Sequence, residues 1–486
     1  MEIDIEKLVN HIINDVKDPQ VKQTSDSKPE RFDTAGTMSQ SSSTDDPCVG
    51  GMFDTVDQAI LAAKKAQEKL FASTLKVRQE IITALREQLL PEVDEIARRA
   101  FEETGMGSLA DKIKKNRLAI EKTPGVEDLT NSSRVITGDG GMTLYEYCPY
   151  GVIGSITPST NPTETIINNS ISMIAAGNSI YFSPHPGAKK CSAWLIRKMN
   201  QIISDVSGID NLLVSIKAPS IEAAQEMMDH PEIKLLAVTG GPGVVSQAMH
   251  SGKKVIGAGA GNPPVLVDET ANVGKAAQDI VDGASFDNNV PCFAEKNVIV
   301  VSAVAAELLT GMQAAGAYYI SNPTEIEKIR KLTVTDKNTP NKKYVGRPAQ
   351  KILEDAGVSY QGKPRLILIE ADKNSPFAQL EMLMPVLPFI RVQNYEEGLA
   401  TSLELEHGLH HTAIMHSRNV ERLAQAARLM QTTIFVKNGP SYVGIGYQGE
   451  GPTTFTIATP TGEGPTTART FARIRRCALT DGFSLR

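Results

Sequence analysis

Clustered basic residues are missing from this sequence. Its 50 Lys and Arg stand against 56 Asp and Glu, a net charge of -6, and no basic run offsets that balance. This argues against nucleic acid as a partner, because such binding rests on neutralising phosphates. Closely spaced cysteine pairs are missing too. Cys48, Cys148, Cys191, Cys292 and Cys477 are odd in number and scattered, which fits neither a disulfide framework nor a zinc site and points to a reducing cytoplasm. No apolar run approaches the roughly 20 residues of a membrane span, and Met1-Glu2-Ile3-Asp4 lacks the basic start of a secretory signal. The reading is a soluble protein that is not exported.

What is present is a chain of 486 residues with 41% hydrophobic residues, long enough for two or three domains. Residues 1–17 carry Ile5, Leu8, Val9, Ile12, Ile13 and Val16 at helical spacing, with polar residues filling the other side. Residues 18–48 turn rich in Ser, Thr and Asp and bury too little to order themselves. A short amphipathic helix on a tether either docks on its own body or lies in a groove on a partner, and the tether favours the partner. The main body starts near Val49. From Thr55 to Glu103 the pattern is a surface helical hairpin, capped by Asp54 or Thr55 and closed by Gly105.

Beyond Leu144, apolar runs alternate with helical patterns: "GVIGSITP", "NSIYFSP", "NLLVSI", "IKLLAVTGG" and "KKVIGAGAG". That rhythm reads as βαβ units in a mostly parallel sheet, with ligands at the carboxyl ends of the strands. "TGGPGVV" places Gly240 and Gly241 between a strand and a helix start suited to a phosphate, although a tight turn that binds nothing fits equally. The match Gly444-Ile445-Gly446-Tyr447-Gln448-Gly449 to G-x-G-x-x-G opens no helix and is read as chance. Cys292, behind "NNVP" and before a strand-like run, is either a nucleophile or a small apolar residue.

"TPSTNPTETIINNSISMIAAGNSIYFSPHPGAKK", "TGGPG", "GAGAGNPPVLVDETA", "GASFDNN", "GLHHTAIMHS", "IFVKNGPSY" and "TPTGEGPTTARTFARIRRC" together resemble the aldehyde dehydrogenase superfamily. The likeness runs from about residue 49 to the end and is strongest to the coenzyme A-acylating branch of bacterial 1,2-propanediol utilisation. The ethanolamine-utilisation branch, which acts on acetaldehyde, is nearly as similar. The resemblance implies an α/β fold: a parallel-sheet cofactor domain at 49–264, a catalytic domain at 265–443 and a carboxyl-terminal segment at 444–486. A small β extension, made by a hairpin at about 135–150 and the terminal strand, would join subunits into a dimer or tetramer.

By position, the resemblance makes Cys292 the thiol that attacks the aldehyde, with its own N–H and Asn161, or Thr160 in a shifted alignment, facing the oxyanion. Hydride transfer to NAD would leave a thioester. Hydrolytic members then use a glutamate to activate water, and the matching residue here is Ala258, which cannot take a proton. Coenzyme A is therefore the expected acceptor, with His411 as base for its thiol. Thr157, Pro158, Ser183, Gly240 and Gly241 would line the cofactor cleft, and Glu381 would hold the nicotinamide ribose. Ser183 and Pro186 stand where many members grip the adenosine ribose, which leaves NAD against NADP open. The tethered helix implies location in a bacterial microcompartment in the cytoplasm, bound to shell or lumen proteins. An inactive lumen scaffold is the remaining alternative, and the presence of Cys292, Asn161, His411 and Glu381 argues against it. No metal site is expected.

Overall fold

Strands buried on both faces of a parallel sheet are built from continuous apolar runs, and the chain after residue 150 is dominated by them. The structure, a computed structural model, describes residues 49–482; the amphipathic stretch 1–17 and the tether 18–48 lie outside the described residues. All five runs quoted above are strands. Val152–Thr157, Ser179–Pro184 and Leu213–Ile216 are buried along their whole length. With Met52–Phe53, Ile233–Thr239 and Lys254–Ala258 they form a six-stranded sheet whose pairings are all parallel. The Val152 strand lies inside it, with the Ser179 strand on one side and the Ile233 strand on the other. The chain first builds outward from one side of that strand and then from the other, which creates the switch point where such sheets hold ligands.

A second, seven-stranded parallel sheet runs in the order Ala317–Ile320, Leu366–Glu370, Val386–Val392, Asn297–Val301, Pro264–Val267, Thr412–His416, Ile434–Lys437. A third sheet is antiparallel: Gly141–Pro149 sits between Arg134–Gly138 and Ala472–Leu479. It leaves Val135, Ile136 and Ile474 exposed.

The hairpin expected over 55–103 is instead three helices, Val56–Ala72, Leu75–Leu89 and Val93–Thr104. Ser73 is extended and breaks the first junction, and Pro91 sits in a single 3-10 turn at the second. Thr55 caps the first helix, its Oγ1 accepting the Gln58 N–H at 3.3 Å, and Gly105 closes the third at φ 61°. These helices are more than surface elements: Leu70, Ile81, Ile82, Leu85, Leu89 and Ile96 are fully buried, each worth roughly 1.5 to 3 kcal/mol. Of the glycines at 444–449, Gly444 lies within a short 3-10 turn, Ser441–Ile445, and Gly446 and Gly449 follow it; they open no helix.

Candidate active site

The site is built around the crossover that joins the two parallel sheets. Between Lys254–Ala258 and Pro264–Val267 runs Gly259-Ala260-Gly261-Asn262-Pro263, and side chains would collide there. A Cβ on Gly259 would meet Pro460 at 2.9 Å, and one on Gly261 would lie 2.8 Å from both the Cys292 carbonyl oxygen and His411 Cγ. Gly261 thus lets the Cys292 backbone and the His411 imidazole close on one point. Its N–H donates to Glu381 Oε1 at 3.1 Å. Three of the residues singled out in the sequence, Cys292, His411 and Glu381, therefore converge on one glycine.

Cys292 is partly exposed yet set deep in protein. Burial, and then the nearby Glu381 carboxylate, push its thiol up to about 12, against the pull of the Lys296 ammonium and the Cys292 and Phe293 amides. The resting thiol is protonated, so reaction requires a bound partner or base that favours the thiolate.

The loop leading to Cys292 is strained and heavily anchored. Asp287, Asn288 and Asn289 take φ of 49°, 53° and 63°, a left-handed run that costs non-glycine residues about 1 to 3 kcal/mol each. Asn288 Nδ2 donates to the carbonyls of Gly107 and Gly346. Asn289 Nδ2 donates to those of Ala284 and Glu295. The buried Lys296 ammonium donates to Asn289 O at 2.8 Å, Asn289 Oδ1 at 2.6 Å and Pro291 O at 3.0 Å. Glu295 accepts from the N–H and hydroxyl of Ser441, both at 2.7 Å, and fits because Gly283 has no side chain: a Cβ there would lie 2.2 Å from its carboxylate.

Asn161 precedes the helix Pro162–Ala175, and its Oδ1 accepts from Lys115 Nζ at 2.5 Å. The neighbouring Thr160 presents only its carbonyl to this cluster, accepting from Lys112 Nζ at 3.3 Å. His411 is buried, with Nδ1 2.9 Å from Thr412 Oγ1; its Nε2 is buried with no hydrogen-bond partner among the described residues. Burial, and then the Lys296 charge, lower its pKa to about 4, so the ring is neutral at working pH. His410 is exposed. Burial raises Glu381 to about 7, with Lys296 opposing.

At the carboxyl ends of the six-stranded sheet, Thr157 ends the Val152 strand, with Pro158 next, and Ser183 lies in the adjacent strand opposite Ile156. Gly240 and Gly241 follow the Ile233 strand and lead into the helix Pro242–Met249, whose Gly241 N-cap has open space around it. Thr157 Oγ1 is buried and unpartnered among the described residues. Ala258 pairs with Thr239 at the same edge, and its carbonyl accepts the Gly240 N–H. These features suit an extended ligand with a phosphate at the helix start.

The sequence reading missed Lys115, Asp287, Glu295, Lys296 and Gly261. The available signal was "AEKN", two charges directly ahead of an apolar strand, and two lysines three residues apart on one helix.

Residues 50–448 match the Aldehyde dehydrogenase family. The CoA-propanoylating propanal dehydrogenase of Salmonella typhimurium is 56% identical over 437 residues, 90% of this chain and 93% of that protein. The crystal structure of Rhodopseudomonas palustris propionaldehyde dehydrogenase with bound CoA and an acylated cysteine is 48% identical, with a TM-score of 0.87 over 89% of this chain and 98% of that one. A propionaldehyde dehydrogenase from the Clostridium phytofermentans fucose utilisation bacterial microcompartment is 45% identical, with a TM-score of 0.88 over 90% of this chain and 100% of that one. The chain belongs to the aldehyde dehydrogenase family, with its parallel-sheet α/β fold.

Proposed function

We propose that this protein oxidises propionaldehyde to propionyl-CoA, reducing NAD and passing through a thioester on Cys292. The observation that carries this reading is the meeting of Cys292, His411 and Glu381 at Gly261, with Ala258 where hydrolytic members hold a water-activating glutamate. The name of the Salmonella relative and the acylated cysteine of the Rhodopseudomonas structure support it.

In the first half-reaction the Cys292 thiolate attacks the aldehyde carbon, and the oxyanion that forms accepts from the Cys292 N–H and Asn161 Nδ2. Asn161 is preferred to Thr160 because its amide is held by Lys115 Nζ through Oδ1, which leaves Nδ2 as the outward donor. The nicotinamide, when bound, supplies the hydride acceptor and a positive charge that favours the thiolate. Thr157, Pro158 and Ser183 would line its cleft, Gly240 and Gly241 would hold the pyrophosphate, and Glu381 would accept from the ribose hydroxyls. In the second half-reaction His411 Nε2 takes the proton of the coenzyme A thiol, which requires Nδ1–H to face Thr412 Oγ1. The new thiolate attacks the thioester, the bond to Cys292 breaks, and acyl-CoA leaves.

The test is NADH formation from propionaldehyde, with and without coenzyme A and with NAD or NADP, beside a mass assay for acyl-CoA and free acid. Coenzyme A-dependent turnover that vanishes in Cys292→Ala is the expected result. Faster turnover of acetaldehyde would reassign the substrate, and sustained acid formation without coenzyme A would refute the role given to Ala258. Within this reading, residues 1–17 address the enzyme to a bacterial microcompartment, and the antiparallel extension joins subunits. A fusion of residues 1–20 to a fluorescent protein that stayed diffuse in compartment-forming cells would reject the first. A monomer by light scattering would reject the second.

A further inference from the structure

Beneath the oxyanion side of the cleft lies a cluster of buried charges for which the reaction sequence has no use. Lys115 and Lys112 on the helix Leu109–Lys122, Glu164 on the helix Pro162–Ala175 and Asp287 on the nucleophile loop are all wholly buried. Lys115 Nζ has three oxygen neighbours: Asn161 Oδ1 at 2.5 Å, Asp287 Oδ2 at 2.6 Å and Glu164 Oε1 at 3.1 Å. Lys112 Nζ reaches Asp287 Oδ2 at 3.5 Å and the Thr160 carbonyl at 3.3 Å. The two lysines balance the two carboxylates, as a buried cluster requires.

An ammonium has donors only, and a side-chain amide has one acceptor end and one donor end. Lys115 therefore selects which end of Asn161 faces it. With Oδ1 turned to Lys115, Nδ2 and its two protons are turned away, and the opposite flip would set N–H against N–H in a buried site. The same ammonium pairs with Asp287, five residues ahead of Cys292, so the amide is fixed relative to the loop that carries the nucleophile. We infer that Lys115 is a positioning residue for the oxyanion site: it fixes the flip of the Asn161 amide and ties that amide to the Cys292 loop through Asp287. This rests on the reading that Asn161 donates to the oxyanion.

The experiment is a double-mutant cycle on the burst of NADH formation, at saturating aldehyde and NAD, with melting temperature recorded for each variant. Asn161→Ala is expected to slow the burst roughly 100- to 1,000-fold, the usual loss for one oxyanion donor. Lys115→Met leaves the Asp287 and Glu164 carboxylates to draw the Nδ2 end of the amide inward, and a preference of roughly 100 to 1 for that flip is expected to slow the burst roughly 100-fold. If Lys115 acts through Asn161, the double variant is no slower than Asn161→Ala alone, whereas independent effects multiply. Multiplying losses, or a Lys115→Met burst at the wild-type rate beside a slow Asn161→Ala, would overturn the inference. A wild-type burst in Asn161→Ala would instead overturn the oxyanion reading on which it rests. Should Lys115→Met fail to fold, Lys115→Met with Glu164→Gln removes one charge of each sign, leaves Lys112 facing Asp287, and enters the same cycle.

Discussion

The strand ends on the cofactor side of the cleft and the loop that carries Cys292 are built in opposite ways. Thr157, Ser183, Gly240 and Gly241 are small and uncharged; the first two lie in paired strands, the glycines follow a strand end, and Gly241 faces open space. The loop from Asp287 to Lys296 runs through three left-handed non-glycine residues, each anchored by side-chain bonds or buried ions. In the proposed reaction the first region admits and releases the cofactor, and its side chains are small. The second has to hold a sulfur and its surrounding donors in one geometry, and the anchoring offsets the strain that this geometry costs.

Breaking the comparison at its most constrained point should have the largest effect. Asp287→Asn leaves Lys115 and Lys112 short of a carboxylate in a fully buried site. Loss of one member of a buried pair costs about 3 to 5 kcal/mol, so a large drop in denaturant midpoint and in activity is expected. A change under 1 kcal/mol would mean the cluster is not structurally important. Next is Gly261→Ala, whose Cβ would lie 2.8 Å from both the Cys292 carbonyl oxygen and His411 Cγ. Displacement of that kind typically costs about 100-fold in rate, and kcat is expected to fall more than melting temperature does.

Electrostatics gives a smaller and more discriminating effect. With the Cys292 thiol near 12, its alkylation by iodoacetamide in the resting enzyme should rise with pH, about tenfold per unit well above or below pH 7 and less steeply near it, where Glu381 ionises. The ionised Glu381 carboxylate is one cause of that high value, so Glu381→Gln should speed alkylation severalfold above pH 7. The difference should fade below about pH 6, where Glu381, near 7, is already protonated. Equal rates at pH 8 would contradict the coupling. The smallest effect belongs to Gly241→Ala: with φ -66° and nothing near the added methyl, stability should move by less than about 0.5 kcal/mol. A collapse of stability there would erase the contrast between the two regions.

Much of the architecture was legible because parallel strands announce themselves as apolar runs, and the strands from Val152 to Ala258 lie where those runs are. Cys292, Asn161, His411 and Glu381 stood out through their motifs, yet their mutual arrangement did not. A lysine such as Lys115 reads by default as part of a solvated helix face, and its burial depends on Asp287 and Glu164, distant in sequence. Lys112 and Asp287 are 175 positions apart, so only the folded chain could pair them. The division of the expected hairpin into three helices went unread because Ser73 is an ordinary C-cap residue and Pro91 is tolerated in a first turn.

The most direct test of the central claim is intact-protein mass after incubation with propionaldehyde and NAD but no coenzyme A, with peptide mapping of any adduct. A single propionyl group on Cys292 is expected, persisting without coenzyme A and lost, with formation of propionyl-CoA, when coenzyme A is added. An unmodified protein beside continuous release of propionate would contradict it, because water would then be resolving the thioester despite Ala258.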